Sequence, residues 1–327
     1  MNRVGNNHRM QLLSGRAHPE LAQEIANYLG TRLCDIQISD FANSEISIRF
    51  NESLRGNDVF IIQTHGVKSL NLHTSVFEQL LMIDAAKRAS ARSITAVCPL
   101  LSYARQDRKA AGREPIAARL IIDLLTAAGA DRIMSIDLHS GQIQGFFNGP
   151  FDHLIAMPLF KKYIRENLDK DFMFVAPDAG RVKMAERYSS TFGTSVAIVH
   201  KVRSTEKHNT VVAKHIIGDV KGKDCIIVDD MIDTAGTFCA AAEMLKENGA
   251  RKVYGLATHG VFSEPSLERI EASPFEQVLV TNTAPIDTKG KTNKIVVLSV
   301  AKMLADAIDA VNHAQSVSAL FEGQNQL

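Results

Sequence analysis

Asp229 and Asp230 follow the apolar run Ile226-Ile227-Val228 and precede a small polar stretch, Asp233-Thr234-Ala235-Gly236-Thr237. Carboxylates accept hydrogen bonds from sugar hydroxyls. A short turn opening a helix can hold a phosphate on its backbone N–H groups and threonine hydroxyls. The apolar run predicts a buried parallel strand, and the periodic segment Phe238 to Lys246 predicts a helix. Strand, acidic pair, turn and helix together suit a sugar phosphate. The plainer alternative is an ordinary strand-to-helix connection with a solvated acidic end. Two adjacent aspartates ending a buried strand are costly unless used, which favours the site.

Four further constellations could do chemistry. Asp137 and His139 close a strand that begins near Ile133, and alternate strand positions share a face, so both could reach one site. His139 could ligate magnesium or be a hydrogen-bonded structural residue. Asp178 likewise emerges after the strand-like run Phe174-Val175-Ala176, with Gly180 allowing a tight turn. Magnesium takes few protein ligands beside substrate phosphates, so His139 with Asp178 would suffice. Lys201 and Arg203 alternate at the end of the strand from Val196 and could neutralise a transferring phosphoryl group. Phe41, Asn43 and Glu45 offer an aromatic platform with polar groups, which suits a purine or an edge strand equally.

The elements that must position these residues alternate. Strand-like runs such as Val59-Phe60-Ile61-Ile62 and Ile94-Thr95-Ala96-Val97 are separated by helical patterns, which predicts an α/β protein with mainly parallel sheets. Two halves repeat one plan. Gly129 to His139 and Gly249 to His259 span the same interval, and each glycine is placed to end a helix. Ile116, Leu120, Ile121, Leu124 and Leu125 form the apolar face of one such helix, and Phe238, Ala241, Ala242 and Leu245 that of the other. The interval from Ile94 to Gly129 is 35 positions, against 24 from Cys225 to Gly249. The extra residues fall on the cationic stretch Tyr103 to Glu114, which reads as a functional loop rather than core. Pro115 then opens the helix. A boundary near Gly149-Pro150 to Met157-Pro158 predicts domains 1–152 and 153–327.

The 327 residues carry 45% hydrophobic and 22% charged side chains, as a soluble globular chain does. A net charge of +1 gives no general basis for nucleic-acid binding. The longest apolar stretches, such as Ile94 to Leu101, fall far short of the ~20 residues of a membrane span. Met1 to Gln11 has no signal-peptide core. Cys34, Cys98, Cys225 and Cys239 show no CxxC spacing and read as buried thiols of a cytoplasmic protein.

With these residues in hand, the chain resembles the magnesium- and phosphate-dependent ribose-phosphate pyrophosphokinases, or phosphoribosyl pyrophosphate (PRPP) synthetases. The resemblance runs from Ser14-Gly15-Arg16-Ala17-His18 to Glu322, and rests on Tyr103 to Arg108, Asp137 to Phe147 and Asp229 to Thr237. It implies two tandem phosphoribosyltransferase-like domains. It also implies transfer of the pyrophosphoryl group of MgATP to the 1-hydroxyl of ribose 5-phosphate, giving PRPP and AMP. Phe41, Asn43 and Glu45 match adenine-contacting positions, and Arg105, Gln106, Asp107 and Lys109 match the loop over ATP. His139 and Asp178 match positions associated with magnesium, and Lys201 and Arg203 match catalytic cations, a role shared with Arg105. Asp229 and Asp230 match contacts to ribose hydroxyls, and Asp233, Thr234, Ala235, Gly236 and Thr237 the 5-phosphate loop. Many relatives have glycine at the position of Ala235; the neighbouring Gly236 is expected to keep the turn flexible. Ser53, Arg55, Ser90, Arg113, Ser316 and Ser318 match a site where phosphate activates and ADP inhibits, within a homohexamer.

Two other classes share parts of this pattern. A phosphoribosyltransferase would have the Asp229–Thr237 run without the ATP positions or cationic loop. A catalytically silent synthetase-associated subunit would have damaged catalytic positions, whereas Arg105, Lys201, Arg203 and both aspartates are intact here.

Overall fold

The computed structural model describes the backbone of residues 9–66, 70–168, 171–202, 213–288 and 290–321, without the side chains of 201, 202, 213 and 214. The first elements are β1 (Met10–Ser14), α1 (Pro19–Tyr28), β2 (Ile36–Asp40), β3 (Ile46–Phe50) and β4 (Asp58–Ile62). There follow α2 (Leu72–Arg88), β5 (Ser93–Cys98), α3 (Ala117–Ala128), β6 (Arg132–Ile136) and β7 (Phe151–Leu154). Five of these strands form a wholly parallel sheet in the order β1-β4-β5-β6-β7. Every residue of β4 is buried, as expected for a strand covered on both faces. β2 and β3 form a separate antiparallel hairpin.

The chain continues through α4 (Met157–Asn167), β8 (Phe172–Ala176), α5 (Val182–Phe192), β9 (Val196–Val202) and β10 (Ala213–Ile217). Next come β11 (Asp224–Ile232), α6 (Gly236–Glu247), β12 (Lys252–Gly260), α7 (Ser266–Ala272), β13 (Phe275–Thr281) and β14 (Ile295–Leu298). Their sheet has the order β10-β9-β8-β11-β12-β13-β14 and is parallel except where β10 joins β9. This is the α/β architecture with mainly parallel sheets that the alternation of patterns implied.

Two compact units result. One comprises the described residues of Met1–Ile155, Thr283–Pro285 and Ser299–Leu327, the other those of Ala156–Asn282 and Ile286–Leu298. The division therefore departs from a simple cut into 1–152 and 153–327. After β14 the chain returns to the first unit as α8 (Ala301–Asn312), which packs on α1. Apolar positions on both helices explain the return: Leu21 and Ile25 of α1, and Leu304 and Ile308 of α8, are wholly buried.

Gly129 and Gly249 follow α3 and α6 with φ of +120° and +88°, a region where a side chain would be strained. The apolar face of α3 is divided. Ile121 and Leu125 enter the core, whereas Ile116, Leu120 and Leu124 are exposed. All four cysteines are buried and none is in a disulfide. Burial pushes the Cys98 and Cys225 thiols up to about 12. Among the described residues no helix is long and apolar enough to cross a membrane.

Candidate active site

β11 does not end at its aspartates. It runs on to Ile232 beside β12, whereas its pairing with β8 stops at Ile227–Val175. Asp229 and Asp230 thus sit on a stretch that β8 leaves uncovered. A turn at 179–181 after β8 carries Arg181 into the gap. Its Nε donates to Asp229 Oδ1 at 2.6 Å and its Nη2 to Asp230 Oδ1 at 2.6 Å. Asp229 Oδ1 also accepts the Asp230 N–H at 2.8 Å. The two carboxylates differ in access: the side chain of Asp229 is 20% exposed and that of Asp230 only 2%. Burial, with the adjacent Asp230, holds the Asp229 carboxyl well above the ordinary carboxylate range, and Arg181 opposes that rise. Arg181 is the residue that sequence reading missed.

The loop that follows is built around Ala235. It stands immediately before α6 with φ +59° and ψ 2°, a left-handed conformation, and is buried. Gly236, to which the sequence reading gave the turn's flexibility, is already the first residue of the helix and is not among the positive-φ glycines. The strained residue is therefore the alanine. Ala235, at the N-cap, has no side-chain oxygen to offer α6, and the N-terminus of a helix suits an anion. Arg269 of α7 braces the loop from outside, donating from Nη1 to the Thr234 carbonyl at 2.8 Å. Asp233 is half-buried, and Thr234 and Thr237 are exposed.

Asp178 caps the turn that delivers Arg181, its Oδ1 accepting the Gly180 N–H at 2.9 Å. His139 belongs to the first unit and Asp178 to the second. Asp137 and His139 do not share a strand face, because β6 ends at Ile136 and Asp137 has φ +37°. Among the described residues no three His, Cys, Asp or Glu side chains gather as a metal cage. Lys201 lies on β9 opposite Lys214, but its side chain is outside the description, and Arg203 lies outside the described residues.

In the first unit the β2–β3 hairpin presents Phe41 at its tip, 59% exposed, with Asn43 and Glu45 also exposed. The tip is held by Phe41 N–H to the Glu45 carbonyl at 2.8 Å and by Glu45 N–H to Asn43 Oδ1 at 3.2 Å. Arg16 struts this hairpin against the core. It binds Asp40, the last residue of β2, through both terminal nitrogens at 2.8 and 2.9 Å. Its Nε meets Glu78 at 2.6 Å, and Glu78 is wholly buried. Gln63 adds a hydrogen bond to Glu78 at 2.9 Å. Gln63 in turn crowds Gly15, where a Cβ would clash with its side-chain amide.

The cationic loop is anchored at its start and open beyond. His65, 1% exposed, donates through Nε2 to Gln79 Oε1 at 2.7 Å and accepts the Ser102 N–H on Nδ1 at 3.2 Å. Burial pushes the His65 imidazole down to about 4. Tyr103 turns the chain with φ +58°, Ala104 is buried, and Arg105, Gln106 and Lys109 are exposed, with Asp107 half-buried. At the far end the Glu114 carboxylate accepts the N–H groups of Ala110 and Ala111. Of the six positions matched to an effector site, Ser53 and Arg55 flank the loop whose Gly56 N–H bonds the Ser90 carbonyl at 2.9 Å. Ser316 and Ser318 share a hydrogen bond of 3.0 Å, and Arg113 is exposed on the cationic loop.

Residues 10–129 match the N-terminal domain of ribose phosphate pyrophosphokinase, and residues 204–322 the phosphoribosyl synthetase-associated domain. The chain is 52% identical to the ribose-phosphate pyrophosphokinase of Corynebacterium glutamicum over 98% of both sequences. It is 50% identical to that of Bifidobacterium longum, over 95% of this chain and 92% of the other. The crystal structure of phosphoribosylpyrophosphate synthetase from Mycobacterium smegmatis superposes with a TM-score of 0.88 at 48% identity, covering 94% of this chain and 99% of that one. The chain belongs to the ribose-phosphate pyrophosphokinase family.

Proposed function

We infer that the chain transfers the pyrophosphoryl group of ATP to the 1-hydroxyl of ribose 5-phosphate, giving PRPP and AMP. The observation that carries this reading is the partly exposed Asp229, ahead of a helix N-terminus, in a chain that also carries a cationic loop and an exposed aromatic hairpin tip. The loop Asp233–Thr237 takes the 5-phosphate on the N-terminus of α6, and Asp229 accepts from the ribose hydroxyls. Phe41, Asn43 and Glu45 receive the adenine, and Arg105, Gln106, Asp107 and Lys109 the phosphates.

In the reaction the anomeric oxygen bonds to the β-phosphorus as that phosphorus parts from the oxygen bridging it to the α-phosphorus. AMP leaves with the bridging oxygen, and the hydroxyl proton passes to water. Positioning and charge neutralisation dominate such a transfer, since little covalent chemistry falls to the protein. Lys201, Arg203 and Arg105 are assigned to the charge on the transferring group, and closure of the 103–114 loop to excluding water. His139 and Asp178 are two single donors rather than a cage, which fits magnesium held mainly by substrate phosphates and water. When bound, the ion neutralises phosphate oxygens. Phosphate and ADP as effectors, assembly as a homohexamer and a cytoplasmic location complete the proposal.

The test is incubation with MgATP and ribose 5-phosphate, following AMP. A chain that makes no AMP but consumes PRPP with a nucleobase is a phosphoribosyltransferase instead. Lys201→Ala should lower turnover far more than it raises the KM for ATP; unchanged turnover removes Lys201 from the mechanism.

A further inference from the structure

Neighbouring residues of a strand point to opposite faces, yet one guanidinium holds both members of the acidic pair. The gap left where β8 stops pairing with β11 makes this possible. Arg181 reaches Asp229 and Asp230 from a turn whose backbone is itself fixed, since Asp178 accepts the Gly180 N–H and its carbonyl the Arg181 N–H at 3.2 Å. A guanidinium is a rigid planar fork, so bonding two carboxylates through Nε and Nη2 fixes their mutual orientation; an ammonium group cannot impose that plane. The side chain of Arg181 is 18% exposed, so the contact is largely withdrawn from water.

We propose that Arg181 is a positioning residue for the sugar-phosphate acceptor: it clamps Asp230 in the interior and orients Asp229 as the carboxylate that meets the sugar hydroxyls. The inference rests on the acceptor site assigned above. Without the clamp, two adjacent carboxylates repel and Asp229 loses its fixed direction, so acceptor binding weakens. The residues assigned to ATP on the hairpin and the cationic loop do not depend on it.

Steady-state kinetics of the parent, Arg181→Ala and Arg181→Lys, with each substrate varied in turn, test the clamp. Arg181→Ala should raise the KM for ribose 5-phosphate about tenfold or more, as loss of a partly buried charge-assisted fork does. Its KM for ATP should stay within about twofold, a split that a general loss of structure would not give. Arg181→Lys keeps the charge without the fork and should fall between the two; it serves alone if the alanine variant does not fold. An unchanged or lowered KM for ribose 5-phosphate in Arg181→Ala, or parental behaviour in Arg181→Lys, overturns the clamp. A parent chain that makes no AMP refutes the acceptor site itself, so the two failures are distinct.

Discussion

Replacing Arg16 by alanine separates a buried ion pair from an exposed one within a single side chain. Toward the core, Arg16 Nε meets Glu78, whose side chain is 0% exposed; toward solvent the same guanidinium binds Asp40, which is 48% exposed. In Arg16→Ala the Glu78 carboxylate would keep the residue-16 N–H and the Gln63 amide but lose its countercharge. Breaking a buried pair on one side typically costs 3–5 kcal/mol; because the Arg16 side chain is 30% exposed, the lower end applies, about 3 kcal/mol. Asp40→Ala removes only the exposed partner and should cost below about 1 kcal/mol. Adding Glu78→Gln to Arg16→Ala removes the stranded charge and should recover about 1–2 kcal/mol, a coupling expected of residues in contact. Urea unfolding followed by far-ultraviolet circular dichroism measures all three, since the chain contains no tryptophan. Hydrogen exchange in β2 and β3 reports whether the hairpin loosens, and the KM for ATP should rise with it. An Arg16→Ala protein within about 0.5 kcal/mol of the parent, or a double variant no more stable than the single one, would refute the strut.

Three further outcomes follow from the site. Asp230→Ala should cost more stability than Asp229→Ala, because it removes the buried partner of Arg181 Nη2 while Asp229 remains as countercharge on Nε, whereas Asp229→Ala should mainly raise the KM for ribose 5-phosphate; equal effects on both measurements would contradict the difference in exposure. Ala235→Val places a β-branched residue at φ +59° and should cost about 2 kcal/mol or more while raising the same KM. Ala235→Gly should leave that KM within about twofold, so a valine variant that melts and binds as the parent does would sink the strain argument. His65 is held neutral when folded, so the unfolded chain binds the extra proton. Its contribution is complete above about pH 6.5, falls as pH drops toward about 4, and is worth roughly 3 kcal/mol in all. His65→Gln should flatten the urea midpoint between pH 7 and 5; an equally steep loss in that variant assigns the acid sensitivity elsewhere.

Local pattern made the scaffold legible. Ile226, Ile227 and Val228 are buried because crossover helices such as α5 and α6 pack on the sheet, and an unbroken apolar run signals that. The turn before α6 was equally plain, being small, polar and followed by helical periodicity. What stayed hidden depends on distance along the chain or on one dihedral angle. Arg181 meets Asp229 across 48 positions and Arg16 meets Glu78 across 62, and no local spacing reports such contacts. Asp137 was misplaced because a two-residue alternation was carried past Ile136, where the strand ends and φ turns positive. The turn's flexibility was expected at Gly236, yet the left-handed residue before α6 is Ala235. The exposed half of the α3 stripe shows the same limit, since periodicity names an apolar face but not how much of it a neighbour covers.

The return of α8 to α1 reverses the order in which a ribosome can finish the two units. Everything the second unit needs has been made once β14 ends at Leu298. The first unit, begun earlier, still lacks α8, the helix that packs on α1. Domains usually fold in the order of their synthesis. Here the unit made first closes last, and a chain stopped after β14 would carry one finished unit and one with an open core.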